Sequence, residues 1–479
     1  MGTIRAGDRP GAVRGLAVAG AGPRQPRALP LTFFDLVFWD FPPVQRVLFY
    51  GSADQDFLDV PGFLRRDLPL FKASLAAALH RFYPLAGRLP CELPAQPEVA
   101  CSDGDSVRLT VAVSGDDFSD LAGDHPRDTA RLRALLPLLP SRGEGTRGVF
   151  AVQVTVFPRA GIFVGTTLHH AVADDSSYVH FVRTWAAIHR RLVGADKKVV
   201  DVAVPLFDRG VVRDDAGLRE AFVRDHLAAG DDGRLDYWDL TRRPGGGGVV
   251  LATFRFTEEL LARLGKRLES ETSARRCSPY ALACGAAWAG IVHARGGDGI
   301  NCNARHQFGF VTGCKPRASP PVPGVSTNLV MTGAARRAAP TPGNYFGNCL
   351  GLCRVEEDDH DDRGLTASAA IWHAIEELAE QGRALRDARG WVRLVRESAA
   401  ARAVTVAGSP KLGIYAAADL GAPWGRPRKV EIVSVERTGA LALAENLDGG
   451  GGIEVGVALP RGEMEAFRAF YGDLVAGLR

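Results

Sequence analysis

Residues 161–174 read Gly-Ile-Phe-Val-Gly-Thr-Thr-Leu-His-His-Ala-Val-Ala-Asp. Gly161 to Leu168 is a β-rich run, and Phe150 to Phe157 is another. Pro158-Arg159-Ala160-Gly161 between them is a hairpin signal. The second run delivers His169 and His170 into a short turn. Beyond it, Ser176 is expected to N-cap a helix on which Tyr178, Phe181, Trp185 and Ile188 recur at helical intervals. A strand that ends in an imidazole and passes through a turn into a capped helix holds the ring in one place, as a general base requires. Histidine titrates near neutrality, so a neutral ring can accept a hydroxyl proton. Asp174 would hold the turn or orient the ring. Alternation along the strand sends His169 to the face opposite His170. By itself His-x-x-x-Asp fixes two positions, and it suits a histidine satisfied in a turn equally well.

Working outward, Leu29 to Phe38 (LPLTFFDLVF) reads as a proline-bounded apolar strand carrying one acid. Phe71 to Phe82 has helical spacing, stopped by Pro84, with Gly87 allowing a turn before Arg88. From about 195 to 250 charges interleave with glycine up to Gly245–Gly248, which reads as a flexible linker. Val249 to Phe256 is strand-like and leads into a helix capped by Thr257. The uncharged run Cys277 to Ala294 suits a buried helix better than a membrane span, since it holds Pro279, Gly285, Gly290 and His293. Leu441–Glu445 and Ile453–Leu459 flank a hairpin loop at Asn446–Gly452.

The 479 residues are 46% hydrophobic and 24% charged, enough for a large core without staples. Basic and acidic residues number 58 and 55, a balance unlike that of a dedicated nucleic-acid binder. The arginine-rich first 30 residues lack serine and make no clean amphipathic helix, so no transit peptide is expected. The cysteines form no C-x-x-C pair, which suggests reduced structural thiols and no metal site. There is no G-x-S-x-G elbow, P-loop, H-E-x-x-H or strand-borne G-x-G-x-x-G, which argues against hydrolase, nucleotidase, zinc-protease and dinucleotide chemistry.

Six pieces occur in order: LPLTFFDLVF at 29–38, YPLAGRL at 83–89, HHAVAD at 169–174, YFGNC at 345–349, GSPKLGIY at 408–415 and a D-x-G…W-G element at 419–425. Together they resemble the plant BAHD family of CoA-dependent acyltransferases over residues 29 to 475. The first and fourth are similar to the clade that acylates flavonoid and phenolic glucosides. The resemblance implies an α/β fold of mixed sheets, in two chloramphenicol-acetyltransferase-like domains with the active-site channel between them. The expected division is an arm at 1–28, a first domain at 29–194, a crossover at 195–250 and a second domain at 251–479.

It also implies His170 as general base and Asp174 as its structural companion, paired with a basic residue of Cys314-Lys315-Pro316-Arg317. Arg317, Asp419, Gly421, Trp424 and Gly425 would be structural. Tyr345, Phe346, Gly347, Asn348, Ser409 and Lys411 would line the substrate or CoA channel, and Arg426, Arg428 and Lys429 would meet CoA phosphates or form a solvated strand end. The donor would be malonyl-CoA or hydroxycinnamoyl-CoA, the acceptor a phenolic glycoside. No bound cofactor, metal, nucleic acid or membrane is expected of a cytoplasmic monomer. Acylation of polyamine-type amines and a silent binding role are the alternatives.

Three departures from the family pattern stand out. Asp175 replaces a glycine and disfavours an anionic malonyl group nearby. The 419–425 element has two extra residues, Ala422 and Pro423. Residues 324–343 are an insert, either a surface loop or intron sequence read through.

Overall fold

The computed structural model describes residues 13–19, 27–51, 59–141, 145–195, 202–229, 235–243, 248–271, 276–296, 306–313, 344–357, 364–379, 385 and 387–478. Arg317 and the insert at 324–343 lie outside these.

Two mixed sheets organise the chain. The six-stranded sheet runs Val13–Ala19, Ser106–Val113, Phe150–Phe157, Gly161–Leu168, Val44–Gly51 and Lys429–Ile432 in spatial order. The five-stranded sheet runs Thr405–Gly408, Ala440–Glu445, Ile453–Pro460, Val249–Phe256 and Arg127–Asp128. Phe150–Phe157 and Gly161–Leu168 pair antiparallel in the expected hairpin register, and every residue of both is buried. Strands buried on both faces read as continuous apolar runs because each face meets packed side chains.

Helices Leu68–Arg81 and Asp175–Leu192 pack together in the first half, and Pro279–Arg295 packs with Leu365–Ala379 and Arg461–Gly477 in the second. Pro279–Arg295 is nearly all buried, as its uncharged sequence implies. Among the described residues no helix is long and apolar enough to cross a membrane. The core of the first half also takes in Tyr345, Phe346, Trp391, Tyr415 and Trp424, the second half has a further core of its own, and a third cluster joins Phe49, Phe118 and Phe163 to Leu251, Ile432 and Ala442.

The halves exchange strands. Lys429–Ile432 lies antiparallel to Val44–Gly51 at the edge of the first sheet, and Arg127–Asp128 pairs with Val249–Phe256 in the second. Buried Arg127 spans this exchange: it donates to Glu431 Oε1 at 2.5 Å and Oε2 at 2.9 Å, and to the Leu121 and Leu251 carbonyls.

Four expectations are corrected. LPLTFFDLVF is a strand only at Leu29–Pro30, the end of Arg27–Pro30: Phe33–Leu36 is helical, because Asp35 accepts from the Thr32 amide and hydroxyl, both at 2.8 Å, and closes a capping box. The 195–250 stretch is more than a flexible linker: it holds the helix Leu218–Ala228, with Leu218, Ala221, Phe222 and Val223 buried. The 1–28 arm contributes Val13–Ala19 to the first sheet. Gly87 is needed for closeness rather than for a turn conformation, since a Cβ there would lie 2.7 Å from Val99 Cγ1 and 2.9 Å from the Ala100 carbonyl.

Candidate active site

The site is built on the end of Gly161–Leu168. The His169 amide donates to the Val149 carbonyl at 2.9 Å, which keeps the chain on the sheet for one more residue. The Val172 amide then donates to the His169 carbonyl at 3.0 Å and closes the turn. The cap of the next helix is Asp174, not Ser176. Its Oδ1 accepts from the Ser177 amide at 2.8 Å and the Ser176 hydroxyl at 2.9 Å. A carboxyl side chain two residues earlier in the turn reaches the orphan amides first. Asp174 Oδ2 accepts from the Cys349 amide at 3.3 Å, so this buried carboxylate ties the turn to the distant YFGNC segment.

The two histidines part as expected. His169 is buried against Trp39, with ring centroids 6.0 Å apart. Burial, then Arg147 and His170, hold its pKa well below the ordinary range, so it stays neutral. His170 is half-buried. Phe38 lies flat on its ring at 4.0 Å and Phe41 stands beside it at 5.9 Å. Burial lowers the His170 pKa, while its own carbonyl, Asp174, Asp175 and the Asn348 side chain pull it back up. The outcome is a ring that is neutral at cellular pH yet supported when it takes a proton.

The YFGNC segment backs the turn. Tyr345, Phe346 and Asn348 are buried. The Tyr345 hydroxyl meets Arg209 Nη1 at 2.5 Å, and the same nitrogen donates to the Phe346 carbonyl at 2.8 Å. The Ser177 hydroxyl contacts the Gly347 amide at 3.2 Å and its carbonyl at 3.1 Å. Asn348 donates from Nδ2 to the His170 carbonyl at 2.9 Å and to Asp35 Oδ1 at 3.0 Å. Three motifs far apart in sequence thus converge on one turn.

A small cleft near the start of the Asp175–Leu192 helix is lined by Arg46, Asp175, Ser409, Leu412, Glu431 and Glu454, among others; His170 is not part of its lining. Ser409 therefore borders the cleft, whereas Lys411 is exposed and does not. Asp175 does not stand as a lone negative charge: Arg46 Nη2 meets it at 2.5 Å, and that guanidinium lies 4.5 Å over the Tyr178 ring. Lys429 is no solvated cation. It is buried between Asp124 and Glu454, while Arg426 is exposed beside Asp419.

The 419–425 element is a closed turn. The Leu420 amide donates to the Gly425 carbonyl at 3.0 Å, and Gly421 takes φ +71°. Trp424 is buried against Phe63 at 6.4 Å, and Arg190 donates to the Asp419 carbonyl at 2.5 Å. The extra Ala422-Pro423 peptide is cis and sits at the exposed tip. Sequence reasoning did not single out Phe38, Asp35, Arg209 or Arg46. Only Asp35 carried a local signal, the Thr32-x-x-Asp35 spacing.

A model described as the Transferase family matches residues 17–471. The chain belongs to this family, the BAHD acyltransferases. It is 32% identical to the malonyl-CoA:anthocyanidin 5-O-glucoside-6''-O-malonyltransferase of Arabidopsis thaliana, covering 92% of this chain and 93% of that one. It is 28% identical to coumaroyl-CoA:anthocyanidin 3-O-glucoside-6''-O-coumaroyltransferase 2 of the same plant, covering 92% and 91%. Among solved structures, vinorine synthase superposes with a TM-score of 0.65 at 18% identity, covering 95% of this chain and 96% of that one. F. graminearum TRI101 complexed with coenzyme A and deoxynivalenol gives 0.60 at 13%, covering 92% and 97%. The two-domain, mixed-sheet α/β fold of the BAHD acyltransferases is the fold of this chain. Its enzyme class is acyltransferase.

Proposed function

We propose that the protein transfers an acyl group from an acyl-CoA to a sugar hydroxyl of a flavonoid, anthocyanin or other phenolic glucoside, with His170 as general base. The observation that carries this reading is the neutral, face-stacked His170 ring at the end of a buried strand, held by the Asp174-capped turn. The similarity to malonyl- and coumaroyltransferases of anthocyanin glucosides supports the substrate classes.

In this mechanism His170 takes the acceptor hydroxyl proton as the oxygen attacks the thioester carbonyl. The tetrahedral intermediate collapses, the C–S bond breaks, and the imidazolium returns its proton to the departing thiolate. The products are an ester and free CoA thiol, and the ring ends neutral. Asp174 keeps the turn closed and takes no proton. The Asp175–Arg46 pair is compatible with a neutral hydroxycinnamoyl group near the cleft and leaves malonyl to compete with Asp175 for the guanidinium. We further read the enzyme as a cytoplasmic monomer.

The test incubates the protein with malonyl-CoA or coumaroyl-CoA and a flavonoid glucoside, reading thiol release and ester formation. Thiol release should depend on the glucoside, and His170→Ala should lose about 10²–10⁴-fold in turnover. Near wild-type transfer by His170→Ala, or release that ignores the acceptor, would overturn the proposal.

A further inference from the structure

Two buried polar atoms at the site lack a well-aligned hydrogen-bond partner: His170 Nδ1 and Asn348 Oδ1. One is a donor when protonated and the other only accepts. The Asn348 side chain nevertheless supports the protonated His170 ring by hydrogen bonding. A donor and an acceptor without partners at one turn can pair, and the ring's own carbonyl is the other acceptor that favours its protonated form. Catalytic hydrogen bonds are often long before substrate binds.

The orientation of the Asn348 amide is not free. Its Nδ2 faces two acceptors, Asp35 Oδ1 at 3.0 Å and the His170 carbonyl at 2.9 Å. A flipped amide would set its oxygen against a carboxylate and a carbonyl, so only the present orientation is tolerated. Asp35 also accepts from the Asn348 backbone amide at 2.8 Å, while its second oxygen is held by Thr32. Both Asp35 and Asn348 are fully buried. The carboxylate is thus fixed from both sides and fixes the amide in turn.

We propose that Asp35 and Asn348 form a buried positioning relay that keeps the His170 proton on Nδ1 and leaves Nε2 free to receive the acceptor hydroxyl proton. The relay rests on the reading of His170 as base. Neither residue touches substrate. Asp35 orients Asn348, and Asn348 selects the tautomer through Oδ1 while its Nδ2 pins the His170 backbone. The charged groups that act on His170 besides this relay are Asp174 and Asp175 at the start of the Asp175–Leu192 helix. Among the described residues its ring faces meet Phe38 and Phe41, its own carbonyl also favours the protonated ring, and neutral His169 precedes it in the chain.

The test compares Asn348→Leu and Asp35→Asn with wild type over pH 4.5–8.5, reading kcat, the KM for acyl-CoA and the acid limb of kcat/KM. Asn348→Leu keeps the branched shape and removes the side chain's hydrogen bonds to Asp35, the His170 carbonyl and the His170 ring. Its kcat should fall about 10–100-fold, with the KM for acyl-CoA within about threefold. Asn348 favours the protonated ring, so its loss should also move the acid limb to lower pH. Asp35→Asn keeps the shape and weakens the orientation of the amide, so it should move both readouts the same way by less. It also serves as the reporter if Asn348→Leu does not fold. An acid limb that stays in place in the folded variants, or an unchanged kcat, would overturn the relay. His170→Ala is assayed alongside: if it stays active the general-base reading fails, whereas an inactive His170→Ala beside unaffected relay variants sinks the relay alone.

Discussion

Phe38 and His170 lie face to face, with ring planes 7° apart and centroids 4.0 Å apart. The stack leaves the imidazole one plane in which to sit, and that plane sets where Nε2 points. Phe38→Leu keeps an apolar contact and frees the ring to tilt. A stacked pair is worth about 0.5–1.5 kcal/mol beyond its buried area, so turnover should fall roughly threefold to tenfold with little change in the melting temperature. Steady-state kinetics with thermal unfolding on the same sample checks this.

Donor preference should turn on Asp175. Arg46 is buried, lines the cleft and gives Nη2 to Asp175, while its Nε has no partner among the described residues. Asp175→Asn removes the competing carboxylate. A charge-assisted hydrogen bond is worth about 1.5–3 kcal/mol, so kcat/KM for malonyl-CoA should rise on the order of tenfold relative to coumaroyl-CoA. An unchanged ratio would mean that the acyl group does not reach Arg46.

The Arg127–Glu431 pair should matter for folding and not for chemistry. Both side chains are buried and doubly hydrogen-bonded to each other. Arg127→Met strands a buried carboxylate and should cost about 3–5 kcal/mol, read from denaturant midpoints. Adding Glu431→Leu should restore much of that loss, because the cost lies in the unpaired charge.

Acid sensitivity should trace in part to His189. It is buried between helices, with Ser74 Oγ at 3.1 Å from Nδ1, and burial lowers its pKa to about 4. The unfolded chain gains a proton near pH 6.5 that the native state refuses until about pH 4. Stability from this group is therefore full above about 6.5 and falls as pH drops toward 4, by on the order of 3 kcal/mol. His189→Gln should flatten the melting temperature across that window, and an unaltered slope would exclude His189 as its source.

Much of this was legible in the chain. The hairpin at 150–168 follows from apolar runs around Pro158–Gly161, and the helix behind it from residues recurring at 178, 181, 185 and 188. His170 could be singled out because it follows directly on a strand. The cap was misread because two candidates, Asp174 and Ser176, lie within three residues, and only geometry shows whose oxygen meets the Ser177 amide. LPLTFFDLVF was misread because short apolar runs suit a buried strand or a buried helix alike. The long-range partners left no local trace. Asp35 and Asn348 are separated by 313 positions, and Arg127 and Glu431 by 304. Such pairs depend on strand order, which one sequence does not display.

Lys429–Ile432 closes the edge of the first sheet beside Val44–Gly51. During synthesis that edge therefore waits open until residue 432 has left the ribosome. At about 5–20 residues per second the delay is roughly 20–75 seconds, long enough for a nascent chain with an unpaired apolar strand to need chaperone cover. Truncations that end before residue 429 should accordingly aggregate rather than yield a usable first half.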